Sequence, residues 1–224
     1  MIDAANGFAY FGTDTESGRI LKLRLSDFTL VDVLTLNVGE NELTSAVIDP
    51  AGEYAYFGAR MTSARVIKVR LSDMTRMGAL TLETGENDIE SAVIDASSQY
   101  AYFSTSTSSG KVIKLSLSDL SRMDALALNP GENNLNSAVI DAASRYAYFG
   151  PKTNPGMVVR VQLSDFTRPD ALTLNATEGE KDLNAALIGH AAGFVNFATD
   201  TSTAMVVRIH IGFPPSLYLP LVVK

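Results

Sequence analysis

The feature that most constrains this chain is that it repeats itself. The string Ala-Tyr-Phe sets Tyr10, Tyr56, Tyr102 and Tyr148 at intervals of 46, and Asn196 takes that place in a fifth copy, 48 residues further on. Ile2-Asp3, Ile48-Asp49, Ile94-Asp95, Ile140-Asp141 and Ile188-Gly189 run in the same phase, as do Ser26-Asp27, Ser72-Asp73, Ser118-Asp119 and Ser164-Asp165. The two extra residues of the last interval fall within 175–182, where the other copies have a shorter Gly-Glu-Asn stretch. Insertions in repeat proteins settle in loops, so their position supports the register. The copies are 1–46, 47–92, 93–138, 139–186 and 187–224, read as a single domain over 1–224.

Within one copy, four short runs alternate with turn residues. In the second copy they are 45–49, 54–58, 65–71 and 78–83, separated by Pro50-Ala51-Gly52-Glu53, by polar residues 59–64, and by a turn opening at Ser72-Asp73. The third run alternates, with Ile67, Val69 and Leu71 on one face and Val66, Lys68 and Arg70 on the other. A period of two predicts a half-buried strand. The first two runs are apolar or aromatic at nearly every position, as in strands packed on both faces. Nothing keeps a helical period for three turns.

Four short antiparallel strands in 40–50 residues make the blade of a propeller. The fold expected is therefore all-β: a β-propeller of five tandem four-stranded blades, as a closed ring or as part of a larger array. A parallel β-helix is the main competitor, but its coils are shorter. A blade is apolar on both faces and must be sandwiched between neighbours.

Composition bounds the partners. Charged residues make up 19% and the formal net charge is −7, which argues against a nucleic-acid backbone as ligand. There is no cysteine, so disulfides, thiolate metal sites and a cysteine nucleophile are excluded. No run reaches the ~18 consecutive apolar residues of a membrane helix. The first copy opens inside its first strand, at Met1-Ile2-Asp3, which reads as a fragment or a misplaced start. The absence of a leader sequence therefore says little. The fifth copy keeps Val206-Val207-Arg208-Ile209 but loses the Ser-Asp turn to Gly212-Phe213-Pro214-Pro215. Residues 213–224 are then a last strand or a tail, and Pro220 would confine such a strand to a sheet edge.

The pieces AVIDPAGEYAYFG, RVIKVRLSD and ALTLETGEN resemble the YVTN-type family of β-propeller repeats over almost the whole chain. The resemblance implies the fold and an exported or surface-associated setting. It carries over no functional residue.

The sharpest site candidates are Asp3, Asp49, Asp95 and Asp141, carboxylates expected near one mouth of a propeller channel. There they could hold Ca²⁺. Recurrence in every copy favours the other reading, in which each Asp binds the turn that follows it. The Ser-Asp series reads as turn starters. A basic stripe on the third run, Lys22/Arg24, Lys68/Arg70, Lys114, Arg160 and Arg208, is expected to face Glu40, Glu86, Glu132 and Glu180. The tyrosines of the second run either line sugar clefts between blades or, on their strict phase, form inter-blade core. His190 and His210 lack the spacing of a zinc site or catalytic triad, and His210 reads as an exposed strand residue. Asn175-Ala176-Thr177 is a glycosylation sequon, relevant in a eukaryotic secretory setting.

The function expected is a non-catalytic propeller module, extracellular or on the cell surface, binding a glycan or a protein or serving as a scaffold. The rivals are a propeller hydrolase or lactonase with a channel metal, and a fragment of a longer structural array. No cofactor is expected, and open blade edges could support oligomers.

Overall fold

The computed structural model describes residues 1–95, 97, 99–141, 146–189 and 193–211, and the backbone of 218–221. Among them the chain forms five four-stranded sheets, each built from consecutive strands. The first holds β1 (Ile2–Asp3), β2 (Phe8–Gly12), β3 (Arg19–Arg24) and β4 (Leu30–Thr35). The second holds β5 (Leu43–Ile48), β6 (Tyr54–Ala59), β7 (Arg65–Arg70) and β8 (Thr75–Thr81). The third holds β9 (Ile89–Asp95), β10 (Tyr100–Thr105), β11 (Lys111–Ser116) and β12 (Ser121–Ala127). The fourth holds β13 (Leu135–Asp141), β14 (Tyr146–Pro151), β15 (Met157–Gln162) and β16 (Thr167–Thr173). The fifth holds β17 (Leu183–Gly189), β18 (Phe194–Thr199), β19 (Val206–His210) and β20 (Tyr218–Leu221). No α-helix occurs among the described residues, only one 3-10 turn, Ala176–Glu178, inside the loop that carries the insertion. Among the described residues no helix is long and apolar enough to cross a membrane.

Two compact units divide the chain: Met1–Phe103 with Ile113–Asp124, and Ser104–Val112 with Ala125–Lys224. In the first unit the core joins Tyr10, Ile20 and Leu36 of the first sheet to Phe57, Ile67, Val69, Leu71 and Met74 of the second. In the second, Tyr148, Val158 and Leu174 of the fourth sheet meet Val195, Phe197, Val207 and Ile209 of the fifth. The same repeat positions therefore meet in both cases.

The middle strand β7 was expected to be half-buried, and the structure corrects this. Val66, Ile67 and Val69 are all fully buried, so sheet packing covers both faces. The charge of Lys68 does not prevent burial, because its stem lies in the interface and its ammonium reaches the Leu117 carbonyl at 3.1 Å.

The fourth run begins earlier than the sequence suggests, at Thr75 rather than 78, because the hairpin is tight. Arg70 pairs with Thr75, and a bulge between Lys68 and Val69 takes up the extra residue. Met74 turns the chain at φ 51°, and Phe28, Leu120 and Phe166 adopt the same left-handed conformation. Part of the tail is the last strand: β20 pairs with β19, with Pro220 opposite Val207, and is the outer strand of its sheet. Residues 213–217 and 222–224 lie outside the described residues.

Candidate functional site

The phased aspartates serve their turns. Asp3 accepts from the backbone N–H of Asn6 at 3.1 Å and from its side-chain amide at 2.8 Å. Asp49 accepts from the Glu53 N–H at 2.8 Å, and Asp95 from the N–H and hydroxyl of Ser97 at 3.0 and 2.7 Å. Asp141 is buried, and the residues that follow it lie outside the described set. Asp3 and Asp49 do share one depression of about 300 Å³, with Ile2, Ile48 and Ile94. Among the described residues, no three His, Asp or Glu side chains gather as metal ligands, there or elsewhere.

The Ser-Asp series behaves in the same way. Asp27 accepts from Thr29, Asp73 from Thr75, Asp119 from Ser121 and Asp165 from Thr167. Arg24 and Arg70 close on the Asp three residues later.

The expected pairing of the basic stripe with the loop glutamates is wrong. Glu40, Glu86 and Glu132 are buried and bind Arg76, Arg122 and Arg168, which sit on the fourth strand of the following sheet. The stripe instead lies over aromatic rings: Lys22 is 4.4 Å from the Phe8 centroid, Lys68 4.4 Å from Tyr54, Lys114 4.2 Å from Tyr100, and Arg160 4.7 Å from Tyr146. The reason is register. Tyr56 stands directly opposite Lys68 on the neighbouring strand, so the cation is held among the rings of its own sheet rather than at a loop glutamate.

The phased tyrosines are inter-sheet core, all nearly inaccessible, and the Tyr56 hydroxyl donates to the Leu117 carbonyl at 3.0 Å. Burial pushes the Tyr10 and Tyr102 phenols up to about 12, with Asp3 and Asp95 adding to it. His210 is half-buried, contrary to the exposed reading, and stands edge-on to Phe194 at 4.8 Å. His190 lies outside the described residues. Asn175 is exposed, and its side chain accepts from the Thr177 N–H at 3.1 Å.

One cleft departs from this regularity. It lies between the first two sheets, measures about 710 Å³, and is walled by Phe8 and Tyr54. Lys22 forms part of its floor, its ammonium donating to the Leu71 carbonyl at 2.9 Å. Asp3, Asn6, Glu53 and Arg70 supply the polar rim. Gly52 lies at φ 70°, and a Cβ there would stand 3.3 Å from the Asn6 amide, so glycine leaves room for the Asn6–Asp3 pair. The sequence reading missed Asn6 and Arg70 as cleft residues. The signal for Asn6 was weak but present, since Gly52 stands at its place in the second copy; Arg70 gave none, because Arg24 holds the same place in the first copy.

Neither a family model nor a curated protein matches the sequence. Solved structures do. A chain described as U3-55K superposes with a TM-score of 0.75 at 9% identity, over 99% of this chain and 68% of that one. The β-propeller domain of Cps50 (Swd1) from Myceliophteria thermophila superposes with a TM-score of 0.66 at 9% identity, over 94% and 67%. The fold is a β-propeller. In all, 1166 solved chains match, so the likeness to any one of them carries the fold alone. The propeller blades are the five sheets described above, and the cleft is the groove between blades one and two.

Proposed function

We propose that this propeller is a non-catalytic binding module, working outside the cell or on its surface, and that a saccharide occupies the cleft between Phe8 and Tyr54. The chemistry of that cleft carries the reading. A sugar ring offers apolar C–H faces and a rim of hydroxyls. Phe8 and Tyr54 suit the first, and Asn6, Asp3, Glu53 and Arg70 offer donors and acceptors for the second. The volume falls within the ~300–1,000 Å³ common for ligand pockets. The absence of a catalytic role is supported by how the other polar groups are used: the two aspartate series bind turns, and three of the four loop glutamates bind arginines. The exported or surface setting is supported by the resemblance to YVTN-type repeats.

The test is a broad glycan array probed with the purified chain, followed by calorimetry on any hit. Asn6→Ala and Tyr54→Ala should each weaken binding about tenfold, the scale of one lost polar or stacking contact. A chain that binds no glycan, or binds one equally well with both substitutions, refutes the saccharide reading. Release of a cleaved product, followed by mass spectrometry, would refute the non-catalytic one.

A further inference from the structure

The cleft between blades one and two holds two buried donors with capacity to spare. Tyr10 is 2% exposed and lines the cleft, and among the described residues its hydroxyl has no hydrogen-bond partner. Burial and the Asp3 charge keep that phenol protonated, so it acts as a donor. Lys22 is 9% exposed, and the Leu71 carbonyl engages one of its three N–H groups. No carboxylate pairs with its ammonium among the described residues. The rings of Phe8 and Tyr10, at 4.4 and 5.7 Å, face the charge instead.

One repeat further on, the same pair is closed. There the Tyr56 hydroxyl and the Lys68 ammonium both donate to the Leu117 carbonyl, at 3.0 and 3.1 Å. Leu71 holds the place of Leu117, yet only the lysine reaches it. A buried ammonium without a counter-charge is costly, and a buried hydroxyl without an acceptor adds to that. Both penalties fall when an anionic oxygen enters the cleft. The carboxylates and the guanidinium already there are otherwise engaged or distant from the floor. Asp3 directs both oxygens at Asn6, and Arg70 closes on Asp73 at 3.0 and 2.6 Å. Glu53 is exposed at the rim, where salt and water screen its repulsion.

We propose that the saccharide of this cleft is acidic, a hexuronate whose carboxylate accepts from the Lys22 ammonium and the Tyr10 hydroxyl. The inference rests on the saccharide reading above and narrows it to one class of sugar. A hexuronate carboxylate projects from the edge of its ring, so it reaches the floor while the ring faces meet Phe8 and Tyr54. Its two oxygens match the two donors, and a bond to an ionised acceptor is about twice as strong as a neutral one.

The experiment is calorimetry of the full chain with a panel of glucuronate, galacturonate and mannuronate oligosaccharides. Each is paired with its carboxyl-reduced counterpart, in which a hydroxymethyl group replaces the carboxylate. At least one uronate should bind about tenfold more tightly than its reduced partner. Lys22→Met should bring the two to equal affinity. Tyr10→Phe removes only a hydroxyl that has no partner in the protein, so the fold is kept. It should weaken uronate binding about fivefold and leave the reduced sugar nearly unaffected. Thermal melts of both variants verify that they are folded, and Tyr10→Phe decides the matter if Lys22→Met is not. Reduced sugars bound as tightly as uronates, or a preference that Tyr10→Phe leaves whole, overturn the proposal. So does a sulfated counterpart bound in place of the carboxylate. A neutral glycan bound on the array, with no uronate bound, overturns this inference and leaves the saccharide reading standing. No glycan bound at all overturns both.

Discussion

Glu86 lies buried against Arg122, a residue 36 positions later on the next blade, and both of its carboxylate oxygens accept from the guanidinium at 2.6 to 3.1 Å. The same geometry joins Glu40 to Arg76 and Glu132 to Arg168, so one buried ion pair spans each of these blade junctions. Such a pair is costly to break and cheap to replace, because desolvation of both charges offsets most of their attraction. Arg122→Ala should therefore lower the stability by roughly 3 kcal/mol, leaving the Glu86 charge buried and unpaired. The double replacement Glu86→Leu with Arg122→Met should recover most of that loss. Urea unfolding of the three proteins checks it; a double variant as unstable as Arg122→Ala would disprove the mechanism.

These pairs also mark how far the sequence could be read. The blades were legible because a 46-residue phase aligned every strand, and the turn aspartates because Asp bonds only to neighbours a few residues on. The Glu–Arg pairs were not, although both series recur in phase. The sequence placed the loop glutamates opposite the nearer basic stripe, and nothing local says that Lys68 is already engaged by Tyr54 and Leu117. The cleft was harder still. Asn6, Arg70 and Tyr54 come from two blades, and a contact made once leaves no periodic trace.

Glu180 is the exception in its series. It is buried and accepts from the Asn175 N–H at 2.8 Å, but no arginine pairs with it among the described residues, and the sequence has Ser216 where the next arginine would fall. Burial raises its pKa above the ordinary 4.5, with the nearby Glu178 charge adding to it. A carboxyl whose folded pKa is raised costs stability when ionised, and the cost disappears as pH falls through the folded value. Glu180→Gln should therefore be more stable than wild type at neutral pH, and the gap should close as the pH is lowered past about 4. Thermal melts across pH 4–8 decide it; a variant less stable at pH 7 would mean that the charge is compensated.

Asp73 should show the opposite sign. The Arg70 guanidinium holds its carboxyl well below the usual carboxylate range, and Thr75 adds two hydrogen bonds. A depressed carboxylate contributes stability above its unfolded pKa of 3.8, and that contribution is lost as pH falls through the folded value. The site is solvent-exposed, so salt screens the effect. Asp73→Asn should flatten the fall in stability below about pH 4, most clearly at low ionic strength. An unchanged acid limb at low salt would count against the assignment.

The hairpin turn after the third strand poses one conformational problem and answers it in two ways. Phe28 and Met74 occupy the same turn position at φ 57° and 51°, a left-handed conformation that costs an L-residue ~1–2 kcal/mol. Met74 offsets this by burying its side chain between blades one and two, whereas Phe28 stays largely exposed. Glycine at this position removes the strain in either case. Phe28→Gly should accordingly stabilise the monomer by about 1 kcal/mol, because little burial is lost. Met74→Gly removes a core side chain worth ~2–5 kcal/mol and should leave a net loss of about 2 kcal/mol. Both are read from denaturant unfolding at a dilution where sedimentation shows single chains. If the two substitutions shift the midpoint in the same direction, the turn strain and the burial of Met74 do not balance as described.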